Sequence, residues 1–543
     1  MKLRDLLKGI NYSFMEGFDC PELSAEITGL CFDNRDEIPE GSAFVCISGT
    51  KYDTHDFAPE AVKKGAYLII AEHAVDMTGC FDNEAEGGSE NGGNESAQDG
   101  EDDERPTPVV IMVKDTRRAL SLLAANWFER PADKLITIGI TGTKGKSTTA
   151  AMIRAILEKS GLKTGIIGTL GVGIGERYMH TNNTTPGPYE LQQYIRMMVD
   201  EGCNCLVMEV SSQALKQSRT AAITFDYGLF TNLEPDHIGE NEHADFEEYM
   251  YCKSLLFKQC RLGIANLDDA HFKDITKDAS CDIEAYSVRK DGASSDKLKD
   301  QSRNLNILFA ENIHFTNNSG VLGIEYDVYA ADAVSKEGQN NNDDTCHVAL
   351  SIPGIFNVYN SLAAIAVCRH ITDNKKAVLD AIYETKVLGR LEPVKVSDDY
   401  TLMIDYAHNA MALKSLLETL RAYNPGRLVC MFGCGGNRSK ERRYEMGEVS
   451  ASLADLTVVT SDNPRFEEPM DIINDILTGV HKASGEYTVI PDRRDAIRFC
   501  IENAQKGDLI VLAGKGQEDY QEIKGVKYPM DERLIISKIM KDL

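Results

Sequence analysis

No apolar run in this chain is long enough to cross a bilayer, and residues 1–14 (MKLRDLLKGINYSF) lack the apolar core of a secretory signal. A cytoplasmic location is expected. Positive charge is scarce: 58 Lys and Arg stand against 85 Asp and Glu, a formal net charge of -27. Such a surface repels a polyanion over most approaches, which excludes a nucleic-acid-binding role. An anionic small molecule would need cations gathered locally. Zinc-site spacing is also missing, because Cys430 and Cys434 have no second pair or His cluster beside them. The 14 Cys are scattered, and Cys205 and Cys430 sit in apolar runs where the thiol acts as a small hydrophobe. Disulfides are not expected in that compartment. There is no short internal repeat.

What the chain has is length and core material. Its 543 residues exceed what one core usually serves, so two to four domains are expected. With 42% hydrophobic residues and 43 Gly it suits an α/β protein whose strands end in tight turns. Residues 79–107 are almost without apolar side chains and dense in Asp, Glu, Gly and Asn. Such a segment cannot offset its ordering entropy by burial, so it reads as a solvated acidic loop inserted in the first domain, and 291–303 and 335–345 read the same way. Elsewhere KLITIGITG, CNCLVMEVS, LVCMFGCGG, DLTVVTSDNP and GDLIVLAGKG alternate with helical stretches. That pattern predicts parallel sheets with crossover helices, arranged as two α/β units after a first domain ending near Arg130.

The strongest local signal is 136–147, ITIGITGTKGKS: a strand, a glycine-rich turn, Lys-Ser, then a helix ended by Gly161. Backbone N–H groups at such a helix start can cradle phosphates, with Lys146 on the β/γ-phosphates and Ser147 on Mg²⁺, which marks an ATP site. Ile140 stands where the strict pattern has its first glycine. Glu209, His237 and Lys253 also follow or lie near apolar runs, where open α/β sheets hold ligands. Taken singly, they could equally be a helix cap, a satisfied histidine and a surface lysine.

The ordered series GTKGKSTT, NTTPGP, MEVSSQALKQSR, TNLEPDH, YMYCKSLLF, PGIFNVYNSLAA, LGRLEPV, DYAHNAMAL, FGCGGNRSKERR, TSDNPRFEEP and GKGQEDYQ resembles the Mur ligases in order and approximate spacing. GLCFDNRDEIPEGSAFVCISGTKYDTHDF extends the likeness through the first domain. The branch it is most similar to adds the third amino acid to the UDP-linked peptidoglycan precursor. The resemblance implies an α/β chain of three domains: a UDP-sugar domain over 1–130, a central P-loop ATPase domain over 131–387 and a C-terminal Rossmann-like domain over 388–543. It implies an ATP-dependent, amide-forming ligase that adds meso-diaminopimelate to UDP-N-acetylmuramoyl-L-alanyl-D-glutamate through an acyl phosphate. Small molecules and Mg²⁺ would be its partners, and a monomer is expected.

By the same resemblance, the uridine end would lie against Phe32, Asn34, Thr50, Lys51 and Tyr52, although the family usually has Ser where Asn34 stands. Asn183, Thr184, Thr185, Ser211, Gln217 and Arg219 would hold the sugar and peptide. Gly142, Thr143, Lys144, Gly145, Lys146, Ser147 and Thr148 would hold the ATP phosphates, with Asn357, Asn360, Asp405 and His408 completing the ATP side. Ser147, Glu209, His237 and a carbamylated Lys253 would bind the metal, and Lys146, Lys253, Arg390 and His237 would carry catalysis. Arg438, Asp462, Asn463, Pro464, Arg465, Gly514 and Glu518 would hold diaminopimelate, whose distal carboxylate suits a guanidinium as lysine's bare ammonium does not. Gln213 and Gln517 replace histidines common in close relatives, Gly239 replaces an aspartate, and Asn409-Ala410 replaces Thr-Pro. These departures leave open a divergent paralogue with an altered substrate. An L-lysine-adding enzyme, a folylpolyglutamate- or cyanophycin-synthetase type of ligase and a non-catalytic muropeptide-binding protein stand beside it as the competing readings.

Overall fold

The structure, a computed structural model, describes residues 1–15, 22–33, 35, 37–49, 52–77, 80, 108–236, 238–239, 242–288, 305–318, 321–331 and 345–543. The expected acidic loop at 79–107 apart from Cys80, the polar stretch 291–303, nearly all of 335–345, and Asn34, Thr50, Lys51 and His237 lie outside the described residues. Two compact units emerge: Met1–Thr143 with Leu162–Gly263 and Ala270–Ile283, and Lys144–Gly161 with Ile264–Asp269 and Glu284–Leu543.

In the first unit a five-stranded sheet runs in the order Ser13–Phe14, Val109–Met112, Ala66–Ala71, Ser42–Val45, Leu30–Cys31. All neighbours are parallel except the first pair. Its inward Leu, Ile and Val side chains meet the apolar face of helix Thr116–Trp127, where Leu120, Leu123 and Ala124 are buried. Asp115 caps that helix by accepting from Arg118 N at 2.9 Å.

A second sheet in the same unit sets Phe225–Phe230, Ile136–Thr141, Cys205–Glu209 and Thr164–Gly168 side by side in parallel. Nearly every residue of Ile136–Thr141 and Cys205–Glu209 is buried, as strands covered on both faces must be. Their C-terminal ends face the turns that matter: Glu209 is the last residue of its strand, and Gly142 and Thr231 directly follow theirs.

In the second unit, helix Lys146–Lys159 stops where the sequence places its end, with Gly161 at φ 89° donating to Glu158 O at 3.0 Å. The strands Ile307–Asn318 and Val321–Ala331 form a long antiparallel pair that the alternating pattern does not announce. Beyond it a six-stranded sheet runs Glu392–Val394, Thr401–Asp405, Asp508–Ala513, Arg427–Phe432, Leu456–Val459, Glu486–Val489, parallel apart from its first strand. Leu413, Leu417 and Ile476 cover one face, and Ile497, Ile536 and Ile539 the other. Among the described residues no helix is long and apolar enough to cross a membrane.

Candidate active site

The turn after Ile136–Thr141 needs glycine twice. Gly142 has φ 145°, and a Cβ there would lie 2.0 Å from Thr231 Oγ1; Gly145 has φ 84°, and its Cβ would lie 2.3 Å from Asn360 Oδ1. In the first unit Thr143 N donates to Asn232 O at 2.8 Å, and Thr143 Oγ1 accepts from Glu234 N at 3.0 Å. In the second unit Thr149 Oγ1 donates to Asn360 Oδ1 at 3.4 Å, Asn360 Nδ2 donates to Asn357 Oδ1 at 3.0 Å, and Asn357 Nδ2 donates to Pro353 O at 2.7 Å. No side chain caps the helix that starts at Lys146. The first-turn N–H groups around Lys146, Ser147 and Thr148 thus form an anion-binding helix start.

Glu209 ends its strand only 2% exposed. Its Oε1 accepts from Thr169 N at 3.0 Å and its Oε2 from Thr169 Oγ1 at 3.2 Å. Each oxygen keeps a lone pair, so the carboxylate fits a hard divalent cation such as Mg²⁺. Lys253 is not the surface lysine that its sequence position alone allows. It lies in the last turn of helix Phe246–Ser254, 2% exposed, donating to Gly142 O at 2.8 Å with Nζ 4.4 Å from the Tyr249 ring centroid. Tyr249 OH is 3.0 Å from Thr143 Oγ1, and burial pushes the phenol's pKa up.

A cavity of about 780 Å³ lies within the first unit, lined by Phe32, Tyr52, Asn183, Gln217 and Arg219 among others. Arg219 Nη1 donates to Thr185 O at 2.7 Å, and Nη2 donates to Gln217 Oε1 at 2.7 Å. Thr185 Oγ1 donates to Glu209 O at 2.8 Å and accepts from Ser211 N at 3.0 Å, while Thr184 Oγ1 lies 3.2 Å from Thr169 Oγ1. Thr184, Thr185, Ser211, Gln217 and Arg219 are therefore laced to the strand that presents Glu209, and Asn183 lines the cavity beside them. Arg117, which sequence reasoning missed, lines the same cavity.

In the second unit the ends of the six-stranded sheet gather another group. Asp405 Oδ1 accepts from Ala407 N and Oδ2 from Leu391 N, both at 2.8 Å, and Asp405 O accepts from Gly514 N at 2.9 Å. Burial raises the carboxyl pKa, against the backbone N–H groups and the Arg390 charge that lower it. Arg390 stacks over Tyr406, Cζ 4.9 Å from the ring centroid, and His408 Nδ1 donates to Tyr406 O at 2.8 Å.

Arg465 sits at φ 50°, its Nε donating to Glu522 Oε2 at 3.1 Å and its Nη1 to Gly436 O at 2.7 Å. Asn463 Nδ2 donates to Glu518 Oε2 at 2.9 Å. Fully buried Lys515 donates to Asn463 Oδ1 at 2.7 Å, Glu518 Oε2 at 3.1 Å and Tyr520 O at 2.7 Å. Lys515 Nζ lies 3.8 Å from Asp462 Oδ1, and Arg493 Nη1 lies 4.0 Å from Asp462 Oδ2. Gly514, at φ 110°, brings its backbone to Asp462, since a Cβ would come to 3.0 Å from Asp462 Oδ2. Pro464 O closes on Gly436, where a Cβ would meet it at 1.9 Å, and Arg438 is exposed on the turn that follows. Of the expected amino-acid-binding residues, Asp462, Asn463, Pro464, Arg465, Gly514 and Glu518 thus come together. Lys515 organises them and was missed; the visible signal was a lysine between two glycines at a strand end.

Comparison with known proteins places most of the chain in one family. Residues 26–128 match the Mur ligase family catalytic domain, 140–368 the Mur ligase middle domain, and 389–516 the Mur ligase glutamate ligase domain. A protein of Clostridium perfringens named UDP-N-acetylmuramoyl-L-alanyl-D-glutamate–2,6-diaminopimelate ligase is 36% identical over 543 residues, covering 100% of both chains. A protein of the same name from Caldanaerobacter subterraneus is 35% identical over 543 residues, covering 100% of this chain and 99% of its own. A solved structure of that name aligns with a TM-score of 0.68 at 25% identity, over 100% of this chain and 99% of the other. The MurF ligase of Thermotoga maritima in complex with ADP aligns at 0.52 and 18% identity, over 94% and 97%. By matches that span nearly its full length, the chain belongs to the Mur ligase family.

Proposed function

We propose that the protein is an ATP-dependent ligase that joins meso-diaminopimelate to UDP-N-acetylmuramoyl-L-alanyl-D-glutamate in peptidoglycan precursor synthesis. The observation that carries this reading is the C-terminal cluster in which Arg465, Asn463, Glu518 and buried Lys515 share one hydrogen-bonded network. A cation and a carboxylate side by side match an amino acid whose far end bears both a carboxylate and an ammonium. Relatives of similar length named for diaminopimelate support it. The matched stretches support domains at 1–130, 131–387 and 388–543. The free cysteines among the described residues support a reducing, cytoplasmic setting, and we propose a monomer acting on small molecules alone.

In this mechanism the peptide carboxylate takes the γ-phosphoryl of ATP, and the incoming amine attacks the acyl phosphate and expels phosphate. Two anions must meet, so cations dominate. The 142–148 turn receives the phosphates, and Lys146 sits by the β/γ-phosphates. Asn357 and Asn360 hold that turn in shape, and Asp405 with His408 completes the nucleotide side. Arg390 meets the phosphoryl group in transfer. Glu209, Ser147, His237 and a carbamylated Lys253 would hold Mg²⁺, which when bound neutralises charge between the phosphates and the attacking carboxylate. Carbamylation joins CO₂ to Lys253 Nζ; starting from the ammonium, two protons leave, and a buried cation becomes an anionic ligand.

The test is phosphate release with ATP, the UDP-linked dipeptide and a panel of amino acids. Release should require all three substrates, and L-lysine should be used at least roughly 10²-fold less well in kcat/KM than meso-diaminopimelate. Equal use of lysine would remove the amino-acid assignment, and no turnover with any amino acid would favour a muropeptide-binding protein.

A further inference from the structure

The cavity of the first unit contains more positive charge than the residues assigned to the UDP-sugar account for. Arg35, Arg117 and Arg219 line it, facing Asp33 and Glu190. Arg35 is spent on Asp33, which its hydrogen bonds hold at a pKa of about 2. Arg219 is tied to Gln217 and Thr185. Arg117 donates Nη2 to Ser48 O at 2.6 Å and, among the described residues, has no carboxylate partner.

Its position is fixed from two sides. Ser48 Oγ donates to Asp53 Oδ2 at 3.0 Å, and Asp53 is held by His55 Nδ1 at 2.5 Å, so the carbonyl that Arg117 grips is itself anchored. One turn along the same helix, Ser121 Oγ donates to Arg219 O at 3.2 Å and accepts from Ala222 N at 3.1 Å. Helix Thr116–Trp127 therefore sets Arg117 between the segment that presents Ile47, Gly49 and Tyr52 and the segment that presents Arg219. Burial depresses the Arg219 pKa, and the Arg117 charge depresses it further while Glu190 opposes, which marks the two guanidinium groups as electrostatic neighbours. Two such groups close together favour an anion between them.

We propose that Arg117 binds the diphosphate of the nucleotide sugar, midway between the base end at Phe32 and Tyr52 and the peptide end at Asn183 and Arg219. The proposal rests on the substrate reading above. A diphosphate bridges a nucleoside and a sugar, so its cation must stand between the two ends, and among the described residues Arg117 meets that need, bonded to Ser48 O on the base-end segment and one turn from the Ser121 contact to Arg219.

The experiment is titration of the full-length protein with uridine, UMP and UDP, for wild type, Arg117→Ala, Arg117→Gln and Arg117→Lys. Wild type should bind UDP roughly tenfold to hundredfold more tightly than uridine, and the Ala and Gln variants should lose most of that ratio while uridine affinity stays the same. Arg117→Lys should restore part of it. Variants that keep the UDP-to-uridine ratio would overturn the proposal, as would an equal loss for uridine and UDP, which marks a role only in holding Ser48. If wild type ligates diaminopimelate while the variants keep the ratio, the proposal alone falls. If wild type binds no uridine nucleotide, the substrate reading falls with it.

Discussion

A lysine with 2% of its surface exposed has little water to solvate an ammonium, and Lys253 meets that need with Gly142 O and the face of Tyr249. Lys253→Ala should lower the ligation rate per folded molecule roughly a thousandfold, because the ligand proposed for the metal is lost; as the side chain is buried, folded protein is quantified alongside. Wild type freed of dissolved CO₂ should lose activity and regain it with bicarbonate. Undiminished turnover by the alanine variant would end the carbamate argument. At Arg465, alanine removes the guanidinium that Gly436 O and Glu522 orient, so kcat/KM for diaminopimelate should fall about 10²-fold. The KM for ATP should hold. A parallel change in both would assign Arg465 to folding instead.

Strand ends do the positioning, and their glycines set how closely two segments approach. A methyl at Gly436 would sit 1.9 Å from Pro464 O, so Gly436→Ala should destabilise the protein by about 2 kcal/mol in denaturant titration and raise the KM for diaminopimelate. A variant as stable as wild type, with an unchanged KM, would show that the turn gives way freely. Glu284 joins strand Asp282–Val288 to the end of helix Ile355–Cys368: burial raises its pKa, but hydrogen bonds from His370 and Arg369 prevail and hold it at about 2. A carboxyl depressed in the folded state contributes stability above its unfolded pKa and loses it as pH falls through the folded value. Wild type should therefore exceed Glu284→Gln by about 2 kcal/mol at pH 7, with the gap closing from below pH 5 toward pH 2. A gap that is constant with pH would assign the difference to packing.

At the scale of the molecule, charge acts at a distance. Nine carboxylates and no Lys or Arg lie at 83–104, so deleting that stretch moves the net charge from -27 to -18. With an anionic substrate, the KM for the UDP-linked dipeptide at low salt should drop roughly twofold in the deletion variant and converge with wild type near 0.3 M salt. A difference that survives high salt, or loss of folded protein, would give the stretch a role beyond its charge. The phosphate turn and the alternating strands were legible in sequence because each is local: spacing within a dozen residues specifies the shape. Arg117, Lys515 and the fully buried Arg493–Glu532 pair at 2.8 Å were not, because their partners lie 69, 52 and 39 residues away. An arginine in a helix or a lysine before a glycine looks ordinary until the chain brings its acceptor to it.

The network around Lys515 also bears on how this enzyme could change its amino acid over evolutionary time. Asn463 Oδ1 accepts from both Lys515 Nζ and Glu522 N, Glu522 takes Arg465 Nε, and Arg465 returns to Gly436, which has no room for a side chain. A mutation at any one of these positions leaves a neighbour holding an unmatched donor or acceptor. Single steps toward another substrate would each pass through a less stable protein, and paired changes such as Arg465 with Glu522 should deviate from the sum of their separate effects. Selectivity is thus inherited as a block, which resists drift one residue at a time.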